Sequence, residues 1–563
     1  MPNTTRARAL PPAMILLVAG AAALGLAPRP IASTPRLAAD GQRAHYLPHT
    51  VSAGYTTSLA AARVPAPAFR PAAALHGMVG FGESTVELQN LGAADLAVRL
   101  DLRTAVGFSD VAAVTQMAAG GSGALELRRQ RGITHANYAA VVTAGGPLAA
   151  LARAGWQGGA QAVYEAPEPA TALVLPLVAR DVYSHTSVIW LQNATDVDDN
   201  EVEVALFRED GALASSWTFV VPGRRSGQLD LTYSTEFSGL PVNAATGFLG
   251  AFHIAAESPL AVMAYGDEPQ GRGVAALAAR PRAAAADRQY LPFVRASSAG
   301  HALIALANLG GSPAAVTITY LGAASSPGSS GQVFAQQFVV GPRAQAYVDL
   351  DPRLRRGNRD TPALPPAGFV GSAVIEADAP VLAAVLDQSL GAGIDPANGL
   401  PPVLGSFAYN AYGPDDLRRS YAVPRARVGL TEHTTYLAIQ NPGTETAVVT
   451  LELRDAGGRP ASPADTLLVP PGGAMLWARP PAAAPGTYQL VSGASAPVAI
   501  VALDTAAAAD WTAFWPVPLD ASVIVPPTAV ATPSATRVAA TPTAAPIHPL
   551  GTVFLPIGTS PRR

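Results

Sequence analysis

Four segments of the chain end a short alternating run in asparagine: Val86-Glu87-Leu88-Gln89-Asn90, Ile189-Trp190-Leu191-Gln192-Asn193, Ile304-Ala305-Leu306-Ala307-Asn308 and Leu437-Ala438-Ile439-Gln440-Asn441. In each, apolar residues stand two and four places before the Asn, the period of a half-buried β-strand. The steps between the four Asn are 103, 115 and 133 residues. Steps of this size are whole sandwich domains and not solenoid repeats. The chain is therefore expected to be all-β, with tandem modules that each own a core and stack into a rod.

The rest of the repeat follows in order. A second alternating strand carries its apolar residues at Leu96, Val98, Leu100 and Leu102, then Val202, Val204 and Leu206, then Val316, Ile318 and Tyr320, then Val449, Leu451 and Leu453. Residues such as Glu201, Glu203, Thr317 and Thr319 lie between them, which predicts one wet and one packed face. A Gly/Pro turn comes next: Gly120-Gly121, Pro222-Gly223, Gly341-Pro342 and Pro471-Gly472. Each repeat closes with an apolar strand that begins at Pro147, Pro259, Pro380 or Pro497. A proline at a strand's first residue removes no ladder donor. The four Asn and four Pro are read as structural marks of the repeat.

These marks place modules at 44–166, 172–283, 288–415 and 419–522, the first of them divergent. Ahead of them, Arg6 and Arg8 precede an apolar run from Ala13 to Ala27, so 1–38 reads as a signal peptide and leader, with a signal helix. Residues 523–550 are rich in Pro and Thr and read as a disordered tail or an extended stalk. Beyond them, 551–563 holds Thr552-Val553-Phe554-Leu555-Pro556-Ile557, an echo of the openings Tyr46-Leu47-Pro48, Leu175-Pro176-Leu177 and Tyr290-Leu291-Pro292. That lone strand is a candidate for pairing with another molecule's sheet edge.

Composition narrows the chemistry. Hydrophobic residues make up 49% and charged residues 14%, which argues against global disorder. Net charge is −3 without a basic stripe, so nucleic acid is not an expected partner. With no cysteine, thiol catalysis, Cys-based zinc sites and iron–sulfur clusters are excluded. There is no Gly-x-Ser-x-Gly elbow, and Ser122 falls in the repeat's turn; no His-Glu-x-x-His pair exists. His185, His301 and His433 recur just before the Asn strands and read as architectural.

The strongest local site candidate is Asp196, Asp198, Asp199 and Asn200, whose oxygens suit calcium. A solvated turn is the competing reading, because Asp and Asn favour turns on their own account. No other cofactor is expected. Glu201 and Glu203 share one strand face, read as the solvent side. Trp156, Trp190, Trp217, Trp477, Trp511 and Trp515 could form flat platforms for sugars. Trp190 lies opposite the Ile189 and Leu191 face, so its ring is expected to be exposed.

Several of these pieces together resemble a recurrent module of uncharacterised secreted bacterial proteins with immunoglobulin-like sandwiches. They are Tyr290-Leu291-Pro292-Phe293-Val294, the strand ending in Gln440-Asn441, Gly371-Ser372-Ala373-Val374-Ile375, Pro380-Val381 and Tyr409-Asn410-Ala411-Tyr412. The likeness covers most of 172–520, and the first module matches less well because it lacks a Leu-Pro opening close to its Asn strand. The resemblance implies immunoglobulin-like folds and export, and no functional residue. The expected function is a non-enzymatic structural or adhesive protein of the cell surface or extracellular space. Its expected partners are an envelope polymer, a glycan or a surface protein, with self-association and no membrane span after signal removal. The alternatives are a secreted carbohydrate- or protein-binding module protein and, more weakly, an accessory or degenerate hydrolase.

Overall fold

The computed structural model describes residues 43–51, 70–71, 81–103, 111–130, 137–156, 161–182, 185–197, 199–231, 237, 239–240, 247–267, 274–297, 300–326, 328–351, 364–390, 403–430, 433–477, 483–506 and 511–519. The expected leader at 1–38, the expected spacer at 523–550 and the expected strand within 551–563 lie outside them. Among the described residues there are antiparallel sheets and short 3-10 turns and no α-helix.

The third repeat shows the plan. Its longest strand, Phe369–Leu390, runs through a 7-stranded sheet and pairs with different strands along its two halves. The first half pairs with the opening strand Ala286–Ser297 and with Ala314–Gly322, which in turn pairs with the edge strand Val333–Val340. The second half pairs with the Asn strand Gly300–Asn308 and with Val403–Asn410. The second and fourth repeats have the same long strand, at Phe248–Asp267 and Gly486–Ala506. In the first repeat it is broken into Asn137–Ala144 and Leu148–Trp156.

Proline stands elsewhere than the alternation suggests. Pro259, Pro380 and Pro497 lie inside the long strands and not at a first residue. Each lies between the stretch laddered to the second alternating strand and the stretch laddered to the Asn strand. There a missing N–H is tolerated for the same physical reason: no ladder requires it. The Leu-Pro openings, and Val423-Pro424 in the fourth repeat, behave alike. The register slips between Leu47 and Thr50, Leu175 and Val178, Leu291 and Val294, and Val423 and Ala426, so each proline sits in a bulge. The first repeat thus has its opening strand, Arg43–Val51, paired like the others although it is distant from the Asn strand.

Each repeat Asn is a clamp on its turn. Asn308 donates Nδ2 to the carbonyls of Ser312 (2.8 Å), Val340 (3.1 Å) and Gly341 (2.9 Å), and its Oδ1 accepts from the Gly310 amide (2.8 Å). Asn90, Asn193 and Asn441 make the same kind of set, including the carbonyl four residues on and the amide two residues on. The facing turn holds a left-handed residue at the corresponding place in all four repeats: Gly120, Arg224, Arg343 and Gly472, with φ between 53° and 64°. Glycine adopts this without strain, whereas the two arginines do so against it. Asn308→Ala would remove all four of the Asn308 hydrogen bonds at a fully buried position. It is expected to lower stability by about 2–3 kcal/mol, read by urea denaturation.

The rod expectation is replaced by a ring. The opening strand of the first repeat packs on the Asn and long strands of the second, and the same holds from second to third and from third to fourth. The fourth opening strand, Arg418–Val428, packs on the Asn and long strands of the first. Cores are shared accordingly. Trp190, Val188 and Met263 of the second repeat join Leu47 and Tyr138 of the first. Leu303 and Ala305 of the third join the second repeat's core, and Leu151 and Val163 of the first join that of the third and fourth.

This closure explains where alternation succeeds and where it does not. The second strands, such as Asn200–Arg208, alternate buried and exposed residues, and Glu201 and Glu203 do point to solvent. The Asn strands are buried on both faces, as in Gly300–Asn308. One face meets the repeat's own core, and the other meets the neighbouring repeat. Trp190 is therefore fully buried, not exposed, since the opposite face of its strand is an inter-repeat contact.

Candidate functional site

The last strand of each repeat lies on the ring's axis. These four are Gln161–Glu165, Val274–Ala278, Val403–Asn410 and Trp511–Phe514, and each touches the next round to closure. Small residues such as Ala276, Ala278, Ala408 and Ala513 let the strands approach. Hydrogen bonds then tie them across repeats. Trp515 Nε1 donates to the Asn410 carbonyl (2.9 Å), Asn410 Nδ2 donates to the Ala278 carbonyl (2.8 Å), and the Val163 amide donates to Thr512 Oγ1 (3.1 Å). The space left on the axis, between Tyr164, Glu165, Tyr409 and Trp515, has room for about one water molecule.

Charge gathers at one end of this axis. Arg280 forms an ion pair with Asp416 (Nη2 to Oδ2, 2.6 Å) and lays its guanidinium 4.7 Å from the centre of the Trp515 ring. Tyr412 stacks on the same ring at 4.0 Å with planes 21° apart. Burial pushes the carboxyl of Glu165 up, against the pull of Arg280 and the Trp515 amide. Trp515 is thus held by Tyr412 and Arg280 and is a fastening more than a platform.

A second cluster closes the ring between first and fourth repeats. Arg153 reaches Glu87 Oε1 through Nε (2.8 Å), Asp504 Oδ2 through Nη2 (2.8 Å) and Gln161 Oε1 through Nη1 (3.1 Å). Thr435 Oγ1 donates to Asp504, and its oxygen accepts the Arg427 amide (2.8 Å). Arg427 and Arg425 stand 3.7 Å and 3.6 Å from Asp504 and Glu87. Burial alone would raise the Asp504 carboxyl, but Arg153 and Arg427 hold it below its ordinary value. Burial and the Arg153 charge bring Arg427 down to about 10. The alternation reading passed over this cluster. The available signal was a charged residue, Glu87, at the position that holds Trp190, Ala305 and Ala438 in the other repeats.

Among the described residues, Asp196, Asp199 and Asn200 of the calcium candidate are not part of a cluster that could hold a metal ion. Asp196 pairs with Arg224 (2.7 Å) and Asp199 is exposed. Asn200 turns both side-chain atoms to the Ser258 backbone, at 3.0 and 2.8 Å, and Asp198 lies outside the described residues. Ser122 opens a strand after the turn, where its amide meets the Ala456 carbonyl of the fourth repeat. Trp217 packs edge-on against Phe237 and Phe252, and Trp477 donates to Asp465 (2.8 Å). The side chains of Trp156, Trp511 and His433 lie outside the described residues. His301 is buried with Nε2 3.6 Å from Asp349 and Nδ1 3.7 Å from Asp351.

Burial pushes His185 down to about 4. A folded value below the unfolded one gives stability that is complete above pH about 6.5 and is lost as pH falls towards about 4. The loss should reach about 3 kcal/mol by that point, at about 1.4 kcal/mol per pKa unit. Urea denaturation at neutral and acid pH checks this: the difference should shrink by about that amount in His185→Leu.

No protein-family pattern and no curated protein matches the chain. Among solved structures, a glycoside hydrolase family 32 structure from Bifidobacterium adolescentis is similar over 75% of this chain and 97% of that chain, at 10% identity and a TM-score of 0.13. A likeness at that score carries no argument about this chain.

Proposed function

We propose that the chain is an exported, non-enzymatic structural or adhesive component of the cell surface or extracellular matrix, made of four immunoglobulin-like sandwich modules. The observation that supports this reading most is the closed ring. Its inner sheets are buried on both faces and its axis is filled by its own side chains. What such a ring presents to other molecules is its four outer hairpins, which suit repeated weak contacts with an envelope polymer, glycan or surface protein. The Arg6, Arg8 and Ala13 to Ala27 pattern supports export.

Fractionation of native cells, with protease added to intact cells, tests the reading. Recovery in the envelope with clipping from outside is the expected result. Protection in the cytoplasm overturns export and the surface role together. Binding of the whole chain on a glycan array separates the alternative, because tight binding of one glycan indicates a binding protein with a specific site. The whole chain is used since the repeats share their cores.

A further inference from the structure

The four outer hairpins differ in one respect. On their wet faces, the first carries Arg99 and Asp101 as an ion pair (2.7 Å), the second Glu201 and Glu203, and the fourth Glu452 and Arg454 (3.0 Å). The third carries no charge. Its wet face pairs Val339 with Ala315, Gln337 with Thr317, Ala335 with Thr319, and Val333 with Leu321. Val333 and Val339 are 61% and 67% exposed. The strand Val333–Val340 ends its sheet. Proteins usually blunt such an edge with charge, proline or a bulge; this one has none of these.

We propose that two copies of the chain pair through this edge, antiparallel, about a twofold axis at Gln336. The run Val333-Phe334-Ala335-Gln336-Gln337-Phe338-Val339 reads nearly the same in both directions. Antiparallel pairing centred on Gln336 therefore sets Val333 opposite Val339 of the second copy, Phe334 opposite Phe338, and Ala335 opposite Gln337. A twofold contact brings every side chain near its own copy, so like charges directly opposite destabilise it. The edge strands Val111–Met117 and Leu213–Val221 are uncharged too, but neither reads alike in both directions, so Val333–Val340 is the edge suited to meet itself. Eight residues a side is well below the roughly 20–30 of a standard interface, so the dimer is weak, on the order of micromolar or weaker. This inference needs neither export nor the surface role. The rival occupant of the edge is the apolar run Thr552 to Ile557 of another copy.

Sedimentation of the full chain from low micromolar concentration to the solubility limit tests the pairing. A concentration-dependent monomer–dimer equilibrium is expected, and Ala335→Lys, at an exposed position, should weaken it at least roughly tenfold while leaving the melting temperature in place. The chain has no cysteine, so Val333→Cys with Val339→Cys should give a covalent dimer on oxidation. Val114→Cys, on the first repeat's edge strand, should give none. A monomer at every concentration without cross-linking overturns the proposal. So does association that survives Ala335→Lys but disappears when 551–563 is removed, which assigns the edge to the tail.

Discussion

Replacing Arg153 by alanine is expected to lower the stability of the chain by about 3 kcal/mol, because it leaves two buried carboxylates with only the longer contacts from Arg425 and Arg427. Glu87 and Asp504 are 1% and 2% exposed, and Arg153 is the group that bridges them. That bridge and the Thr435 hydroxyl make the closest contacts that repay their removal from water. The loss should fall on the seam between first and fourth repeats. Hydrogen exchange at the Val163 amide, which donates to Thr512, should rise more than at the junction made by Gln440 and the Ala373 carbonyl. Replacing the buried charges together, Arg153→Met and Arg427→Met with Glu87→Leu and Asp504→Leu, should recover much of the loss, since an apolar seam needs no pairing. A loss under about 1 kcal/mol for Arg153→Ala would mean that the seam is open to water in solution.

Trp190→Ala gives the second large effect, a loss of about 3–5 kcal/mol for a fully buried aromatic side chain. An exposed ring on a wet face would lose close to nothing on the same substitution. The urea midpoint therefore discriminates directly between a strand half-covered within its own repeat and one covered from both sides. Ala305 and Ala438 occupy the same position in the third and fourth repeats, so the loss should not be read as a requirement for bulk there in general. It reflects the space that this junction leaves beside Leu47, Tyr138 and Tyr265. An effect near zero would remove the first-to-second junction from the ring.

The hairpins and turns were legible in the residues. Leu96 to Leu102 and Val316 to Tyr320 alternate because one face meets the repeat's own core and the other meets water. The Asn positions were legible as a recurrent mark, although the mark alone does not show that one amide holds three carbonyls and an amide. Less legible was Pro380, since an alternating pattern on either side of a proline does not say that one strand continues through it to new partners. The Asp196 to Asn200 run shows the limit for sites. Spacing puts oxygens close along the chain, but the nearest basic and backbone groups, Arg224 and Ser258, engage the side chains of Asp196 and Asn200.

By itself the sequence determined the all-β class, the wet and dry faces of the outer strands and the turn chemistry. These follow from contacts within a strand, a hairpin or a turn, whose geometry a few neighbouring residues dictate. Only the tertiary structure decided that the repeats close on themselves, that the Asn strands have no wet face, and that Glu87 finds its charge partners in Arg153 and Arg425. The reason is physical. Period-two alternation states which side chains share a face, but what covers that face is set by surfaces brought together from far along the chain, as Glu87 and Asp504 are here.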